Sequence, residues 1–275
     1  MNSHMKLNNP TMKPANSLKP LISISIVSHQ HESYVRLLLG DLEKYCSQSI
    51  EVILTLNIPE PLNSEWPEIS FPLYCIHNKK PQGFATNHNI AFQHSNAPYF
   101  CILNPDVRLV ENPFPILIND LADQQIGIVT PAVIDNQGVL QDNARHFPTP
   151  LRILNRILRR QKKLDYSIKE PIINSDWVAG MFMLCRHEVF NKINGFDENY
   201  YLYCEDVDLC ARLKQKGYRI LFDSRIKVIH ACQRKSHFHW RYLSWHIASL
   251  LRFFIRYYLI YRKSKIPTSA PFPPT

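Results

Sequence analysis

DWVAGMFMLCRHEVFNKINGFDENYYLYCEDVDLCAR, residues 176–212, is the stretch that decides the fold of this chain. Its apolar first part predicts a strand from Trp177 to Cys185. A short helix from His187 to Ile193 is predicted next, and it ends at the Asn194-Gly195 turn. A tyrosine-rich loop then leads to a second predicted helix.

This second helix begins with three carboxylates, Glu205, Asp206 and Asp208. Unpaired N–H groups and the positive end of the helix dipole favour anionic side chains at this position, and we expect them to hold Asp206 ionised. Asp208 and Arg212 are spaced i,i+4 and are expected to pair on the outer face of the helix. Because carboxylates are common in first turns, an acidic helix start with no further role is the alternative.

The remaining chain alternates predicted strands and helices, which is typical of an α/β sheet flanked by helices. The predicted strands are Ile22 to Ser28, Ile50 to Leu56, Leu73 to His77, Tyr99 to Leu103, Ile126 to Ile134, Tyr218 to Phe222 and Ile226 to His230. The predicted helices before residue 176 are Glu32 to Lys44, one ending at Gln93, and Pro113 to Asp123. Ligands of open α/β sheets bind beyond the carboxyl ends of the strands, where Asn104-Pro105-Asp106 follows the central strand. A plain turn is the alternative for this triplet.

The decisive stretch resembles family-2 glycosyltransferases, in particular the bacterial rhamnosyltransferase-like branch. The matching residues are Asp176, Trp177, Val178, Gly180, Gly195, Phe196, Asp197, Glu198, Tyr203, Glu205, Asp206, Asp208, Leu209 and Arg212. The resemblance implies a GT-A fold, a Rossmann-like mixed sheet flanked by helices, with a C-terminal amphipathic helix added to it. It also implies an inverting transferase that uses a nucleotide sugar and takes its catalytic base from Glu205 or Asp206.

In the same family a divalent cation, Mg²⁺ or Mn²⁺, binds the donor's diphosphate. The resemblance assigns Asp106 and His230 as its ligands. Asn104 stands at the first position of the family's D-x-D motif and offers only a neutral oxygen there. The residues that it assigns to the donor are Ser28, Asn57, Asn78, Gly83, Phe84, Asn89, Asn104 and Arg145. The residues that it assigns to the acceptor side are Asp176, Trp177, Gly180 and Tyr203. The usual acidic contact to the base is absent at Asn57, and Asn87 and Ala91 stand where glycines are frequent.

The charge balance indicates an anionic partner, since 32 Lys and Arg exceed 23 Asp and Glu and give a net charge of +9. Nucleic acid, an anionic membrane surface or a phosphorylated substrate each fits. The chain carries no helix-turn-helix, RRM or zinc pattern, so we predict no nucleic-acid partner. Seven cysteines without a CxxC pair, and a polar first segment without a secretory signal, predict a cytoplasmic protein with reduced thiols.

Two segments combine apolar and basic residues. Pro150 to Lys169 is predicted to be an amphipathic basic helix or a mobile flap, with a solvated charged face as the alternative. Phe238 to Lys263 is predicted to be a long helix whose arginines prevent it from spanning a bilayer. We expect this helix to meet a membrane surface, or to pack on the domain or on a second copy in a homodimer.

The predicted organisation is a flexible arm (1–20), a GT-A domain (21–235), the aromatic and basic helix (236–264) and a disordered tail (265–275). The expected reaction moves rhamnose from dTDP-rhamnose to a sugar hydroxyl of a lipid-linked glycan precursor. It is expected on the cytoplasmic face of a bacterial inner membrane. The alternatives are another sugar from a UDP donor, an inactive glycosyltransferase-like scaffold, and a basic protein that binds nucleic acid or membranes.

Overall fold

A computed structural model of the protein describes residues 19–59, 66–159, 164–166, 169–230 and 240–257. The predicted tail and nearly all of the predicted arm lie outside these ranges, so both stay predictions. The strands are β1 (Ile22–Ser28), β2 (Ile50–Leu56), β3 (Leu73–His77), β4 (Tyr99–Leu103), β5 (Val107–Leu109), β6 (Ile126–Ile134), β7 (Ala144–Arg145), β8 (Ile172–Ser175), β9 (Trp177–Val178), β10 (Phe182–Arg186) and β11 (Arg219–His230). The α-helices are α1 (Glu32–Cys46), α2 (Phe84–Gln93), α3 (Phe114–Asp120), α4 (Pro150–Arg159), α5 (His187–Lys192), α6 (Glu205–Gln215) and α7 (Trp240–Arg256).

Nine strands form one mixed sheet in the order β3-β2-β1-β4-β10-β6-β11-β5, with β8 pairing to β11. The first four strands are parallel. Their carboxyl ends therefore share one edge of the sheet, where Ser28, Asn57, Asn78 and Asn104 lie. Strand β10 is inserted antiparallel beside β4 and makes the sheet mixed. The α/β fold class predicted from the sequence is confirmed.

The core lies on both faces of this sheet, as alternation along β4 illustrates. Cys101 and Leu103 belong to the apolar cluster under α1 and α3, whereas Phe100 and Ile102 belong to the cluster under α5, α6 and α7. All four side chains are fully buried. A central strand covered on both faces holds its carboxyl end, and with it Asp106, in a fixed position.

The strand predicted from Trp177 to Cys185 is wrong in its middle, because the chain leaves the sheet between β9 and β10. The backbone there bonds elsewhere: Gly180 N–H donates to the Asp206 carboxylate at 3.1 Å, and the Met181 carbonyl accepts from Asn104 N–H at 2.9 Å. Periodicity in the sequence does not report such contacts.

Two predicted strands, Tyr218 to Phe222 and Ile226 to His230, form the single strand β11. Both halves pair with β6, and the register shifts between Asp223 and Lys227. The polar residues in the middle therefore mark a bulge rather than a turn.

The pair Asp208–Arg212 forms, with Nε 2.7 Å from Oδ2, but its predicted exposed position is wrong. Asp208 is fully buried, and Arg256 of α7 lies 3.5 Å from its other oxygen.

The six cysteines in the described ranges are all free and buried, as expected of reduced thiols. None of the helices within the described ranges is long and apolar enough to cross a bilayer.

Candidate active site

Helix α6 begins after an unusual pair of left-handed residues, Tyr203 at φ 72° and Cys204 at φ 63°. Non-glycine residues at positive φ cost about 1 kcal/mol or more each and persist only where the surrounding structure holds them. The strained turn presents Glu205 and Asp206 at the free N–H end of the helix. Nothing in the sequence pattern signals this turn.

Asp206 is partly exposed and is held by the main chain. Its Oδ2 accepts from Gly180 N–H at 3.1 Å and its Oδ1 accepts from Val207 N–H at 2.8 Å. Burial raises the pKa of Asp206 above its usual value, although these two N–H groups and the positive charge of Arg145 act in the opposite direction. Desolvation is the largest of these effects on the pKa of Asp206, and it opposes the expected stabilisation of the ionised form by the helix terminus.

Glu205 is buried, and its Oε2 has no hydrogen-bond partner among the described residues. Burial, followed by the negative charge of Asp206, raises the pKa of Glu205 well above its usual value. Neighbouring carboxyls can separate their proton affinities in this way, so the two side chains suit different roles.

Asp106 and His230, predicted as metal ligands, lie together. His230 Nε2 is 3.1 Å from Asp106 Oδ2. The Gln141 side chain holds His230 from the other side. Its Oε1 lies 3.2 Å from His230 Nδ1, and its own Nε2 donates to the backbone carbonyl of His230 at 3.1 Å. The amide oxygen of Gln141 can only accept a hydrogen bond from Nδ1–H, and Nε2 is the ring nitrogen that faces the Asp106 carboxylate.

One piece of backbone connects the segments that carry the two carboxylate centres. Gly180 N–H donates to Asp206, and the carbonyl of the next residue, Met181, accepts from the N–H of Asn104, two residues before Asp106. The Gly180–Met181 backbone therefore links the start of α6 to the end of β4.

Arg145 lies beside this centre. Its Nε lies 3.0 Å from Asp142 Oδ2, and its guanidinium lies over the Trp177 ring at 5.5 Å. Burial lowers the pKa of Arg145, while the charges of Asp142, Asp165 and Asp206 raise it. A guanidinium held on one side by a carboxylate and a ring is ordered before any anion arrives.

The predicted donor residues at the sheet edge form an amide cluster. Asn57 Oδ1 accepts from Asn78 Nδ2 and from Gln82 N–H, both at 2.8 Å, and Asn78 Nδ2 also donates to Asn87 Oδ1 at 2.7 Å. Ser28 Oγ accepts from His31 N–H at 3.1 Å. The cluster shapes the loop that ends at Gly83. Asn87, which stands where the family often has a glycine, is a buried member of this cluster.

Gly83, Phe84 and Asn89 contact the loop before α6. A Cβ on Gly83 would lie 2.6 Å from the Tyr201 carbonyl oxygen, and Phe84 N–H donates to that oxygen at 3.0 Å. Asn89 exchanges hydrogen bonds with the backbone of Phe196 in both directions, each of 2.9 Å. The structure thus places Asn89 in a supporting position for residues 195–203.

The predicted acceptor-side residues separate into two groups. Asp176 and Trp177 are buried and hold the strand of Arg145: Asp176 Oδ2 accepts from Phe147 N–H at 3.1 Å, and Trp177 Nε1 donates to His146 O at 2.9 Å. Gly180 contacts Asp206 directly. The Tyr203 ring, partly exposed, meets His246 of α7 at 5.0 Å.

Comparisons with known proteins agree with this geometry. A family model described as the N-terminal domain of galactosyltransferase matches residues 165–245. Rhamnosyltransferase WbbL of Escherichia coli K12 is 29% identical over 86% of this chain and 93% of its own length. N-acetylglucosaminyl-diphospho-decaprenol L-rhamnosyltransferase of Mycobacterium tuberculosis is also 29% identical, over 47% of this chain and 45% of its own length. Mannosyltransferase PcManGT from Pyrobaculum calidifontis, solved in complex with GDP-Man and Mn²⁺, shares the fold with a TM-score of 0.57 at 14% identity, over 89% of this chain and 68% of its own.

The chain has the GT-A glycosyltransferase fold and is similar in sequence to rhamnosyltransferases, which supports a glycosyltransferase.

In this glycosyltransferase, the residues present fit a divalent cation. Asp106 offers a hard carboxylate oxygen and His230 an imidazole nitrogen whose other nitrogen is already fixed by Gln141, the arrangement that metal-binding histidines need. Within the described ranges no three His, Cys, Asp or Glu side chains gather as a complete site. A cation held by two protein ligands takes its remaining oxygens from phosphate and water.

Sequence reasoning on the glycosyltransferase missed the supporting role of Gln141 and Asp142. Both lie just before Arg145, the one residue of this segment that the resemblance assigned to the site.

Proposed function

We propose that this glycosyltransferase moves rhamnose from dTDP-rhamnose to a sugar hydroxyl of a lipid-linked precursor of a cell-surface glycan, with inversion at the anomeric carbon. The observation that carries the proposal is that the Gly180–Met181 backbone bonds both to Asp206 and to Asn104, two residues before the Asp106 of the Asp106–His230 pair. A proton acceptor and a cation-binding pair on segments joined by this short backbone would suit attack on a sugar and departure of its diphosphate.

Asp206 is the group that accepts the proton of the acceptor hydroxyl. Its raised pKa brings it nearer to the operating pH, which makes it a better base than a fully exposed aspartate. The bonds from Gly180 and Val207 fix its two oxygens, so that the proton-accepting lone pair keeps one direction. The raised pKa of the buried Glu205 favours its neutral form, which would limit the negative charge at the centre.

Donor binding involves three features of this chain. Asp106 and His230 would hold Mg²⁺ or Mn²⁺, which when bound would neutralise the diphosphate as a Lewis acid. Arg145, ordered on Asp142 and Trp177, can pair with the anionic leaving group. The Asn57–Asn78–Asn87 cluster keeps the nucleotide edge in shape, and the buried Asn78 Oδ1 has no partner among the described residues.

Two relatives whose printed names are rhamnosyltransferases support rhamnose, and the printed acceptor of one supports a saccharide-diphospho-lipid acceptor. Such a lipid would place the reaction at the membrane, which for this chain means a peripheral protein on the cytoplasmic face of the inner membrane.

The test is a transfer assay with dTDP-rhamnose, UDP-galactose, UDP-N-acetylglucosamine and GDP-mannose, each with Mn²⁺ or with EDTA. The acceptor is N-acetylglucosaminyl-diphosphate on a short isoprenoid chain, and products are detected by mass spectrometry. Mn²⁺-dependent addition of a deoxyhexose from dTDP-rhamnose alone is expected. Absence of transfer from every donor, with no melting-temperature shift by any nucleotide, would overturn the proposal.

A UDP donor is the second candidate. The family model that matches residues 165–245 is described for a galactosyltransferase, which favours a UDP-hexose. Transfer from UDP-galactose or UDP-N-acetylglucosamine in the same panel, without transfer from dTDP-rhamnose, would select this alternative.

A further inference from the structure

Helix α7 carries an uncovered apolar stripe. Trp240, Leu243, Ile247, Leu251 and Ile255 are each between 49% and 77% exposed. Their spacing of three or four residues places them on one face of the helix, along about 22 Å. The opposite face packs on the domain, where Phe253 is fully buried.

Helix α4 carries a second stripe of the same kind. Leu151, Leu154 and Leu158 are 66%, 52% and 69% exposed, again at spacings of three and four. The segment that leads into α4 packs on α7. The Phe147 ring, three residues before α4, packs on Phe253 and Tyr257 at centroid distances of 6.3 and 5.7 Å.

The charge of these helices decides what can cover them. Neither α4 nor α7 contains an aspartate or a glutamate, and together they contain six arginines, at positions 152, 156, 159, 241, 252 and 256. Arg252 is exposed beside the α7 stripe, with its guanidinium 5.9 Å from the Tyr200 ring. A second copy of the chain would bring like charges together, whereas an anionic lipid surface complements apolar side chains framed by arginines.

We propose that the outer faces of α4 and α7 form one docking surface for an anionic lipid bilayer. The binding of lipid does not depend on the proposed function. Only the role of the surface, which is to bring the enzyme to a lipid-borne acceptor, rests on it. Leucine, isoleucine and tryptophan side chains enter the boundary between headgroups and acyl chains, and the exposed Arg152 and Arg252 meet lipid phosphates.

Both helices contact the segments that carry the candidate active site. On α7, Ser249 Oγ donates to the Leu202 carbonyl at 2.9 Å and His246 packs on Tyr203, three residues before Asp206. On α4, Arg156 Nη2 donates at 2.5 Å to Asp142, the residue that orders Arg145. Docking therefore places the bilayer beside the base, within reach of a sugar that is joined to its lipid by a diphosphate.

The experiment is flotation of the full-length protein with vesicles of 30% phosphatidylglycerol in phosphatidylcholine, and with pure phosphatidylcholine vesicles. Ile247→Glu tests the α7 stripe, Leu154→Glu tests the α4 stripe, and Leu37→Glu is the matched control, since Leu37 is 44% exposed on α1. We expect binding to the anionic vesicles, at least tenfold loss in both stripe variants, and no change in the control. Arg252→Ala should reduce the preference for anionic lipid.

Three results would overturn the proposal. The first is that the wild type does not bind anionic vesicles, and the second is that Leu37→Glu weakens binding as much as Ile247→Glu does. The third is that light scattering shows a dimer which Ile247→Glu converts to a monomer without a change in vesicle binding, so that a second copy is the occupant. A chain segment outside the described ranges could instead cover the stripe. In that case Ile247→Glu would have a lower melting temperature and the wild type would not bind vesicles.

Transfer to a water-soluble acceptor separates this inference from the proposed function. Ile247→Glu should keep wild-type turnover with a short-chain acceptor in solution and lose turnover with acceptor in vesicles. Vesicle binding without transfer by any variant would leave the docking surface in place and refute the glycosyltransferase activity.

Discussion

The Asp206 carboxylate accepts a hydrogen bond of 3.1 Å from the backbone N–H of Gly180, across the break between β9 and β10. The donor belongs to the main chain, so only a proline at position 180 would remove it. A Cβ on Gly180 would lie 3.2 Å from the Phe84 ring, so the backbone at this point is also closely packed. The orientation of the candidate base is therefore built into the chain path rather than into a neighbouring side chain.

We expect Asp206→Asn to lower transfer by about 10² to 10⁴-fold, because the amide keeps the shape and can keep one of the two backbone hydrogen bonds but accepts no proton. Nucleotide binding in the presence of Mn²⁺ should stay within about twofold of wild type. Single-turnover rates and thermal shifts with dTDP measure the two quantities. Asp106→Asn is the contrasting variant and should lose Mn²⁺-dependent nucleotide binding. Near wild-type turnover by Asp206→Asn would remove Asp206 from the base role.

The pH dependence of turnover should report Asp206. Its raised pKa means that activity falls as the pH drops through that pKa, above the range where an exposed aspartate titrates. The charge of Arg145 acts to lower this pKa, so Arg145→Gln should move the acidic limb of the kcat profile to higher pH. An acidic limb at the same pH in both proteins would show that another group controls it.

The sheet was predictable from the sequence because its strands are buried and apolar. Four strands before residue 104 have their predicted bounds, from Ile22–Ser28 to Tyr99–Leu103. Short edge strands such as β5 and β7 have two or three residues and no periodicity to detect. They exist because β11 and β9 offer them partners, which is tertiary information.

The candidate site was predictable in its residue types but not in its supports. Asp106 and His230 were named from the resemblance, and the structure brings them together. The left-handed turn at Tyr203 and Cys204, by contrast, contradicts the ordinary preference of both residues. Such local conflicts concentrate at functional sites, where packing over-determines the backbone.

Gln141 should control metal affinity without touching the metal. Its side chain bonds to His230 at two points, the ring nitrogen Nδ1 and the backbone carbonyl. We expect Gln141→Leu to weaken Mn²⁺ binding by about 10 to 100-fold, the usual effect of losing a partner behind a ligand. Electron paramagnetic resonance titration of Mn²⁺ in the presence of dTDP measures it. Gln137→Leu, on the exposed turn before the same segment, should change nothing, and an equal loss there would refute the positioning role.

Two glycines should respond oppositely to alanine. Gly83→Ala places a Cβ 2.6 Å from the Tyr201 carbonyl oxygen, so the backbone must shift, and we expect a loss of about 1–3 kcal/mol in the free energy of unfolding. Gly40 lies inside α1 with nothing within 4 Å of an added Cβ, so Gly40→Ala should gain about 1 kcal/mol of helix propensity. Urea denaturation measures both. Equal effects of the two substitutions would contradict the close approach at Gly83.

Asp120 should make stability depend on pH. Burial, followed by its hydrogen bond to Asp223, raises the pKa of Asp120 from 3.8 to about 6, although Arg225 lies 2.7 Å away. A carboxyl whose pKa is higher in the folded state stabilises the fold fully below pH 3.8, and this contribution is lost as the pH rises towards 6. The pKa of Asp223 is lowered, so its own contribution grows in the opposite direction and is complete above its unfolded pKa.

In Asp120→Asn the side chain stays neutral, so the free energy of unfolding should fall less between pH 4 and pH 6 than it does in wild type. Urea denaturation at half-unit pH steps measures the slope. Glu111→Gln, at an exposed position, is the control and should keep the wild-type slope. A wild-type slope in Asp120→Asn as well would mean that the Asp120–Asp223 pair does not share a proton and that Arg225 holds both carboxylates ionised.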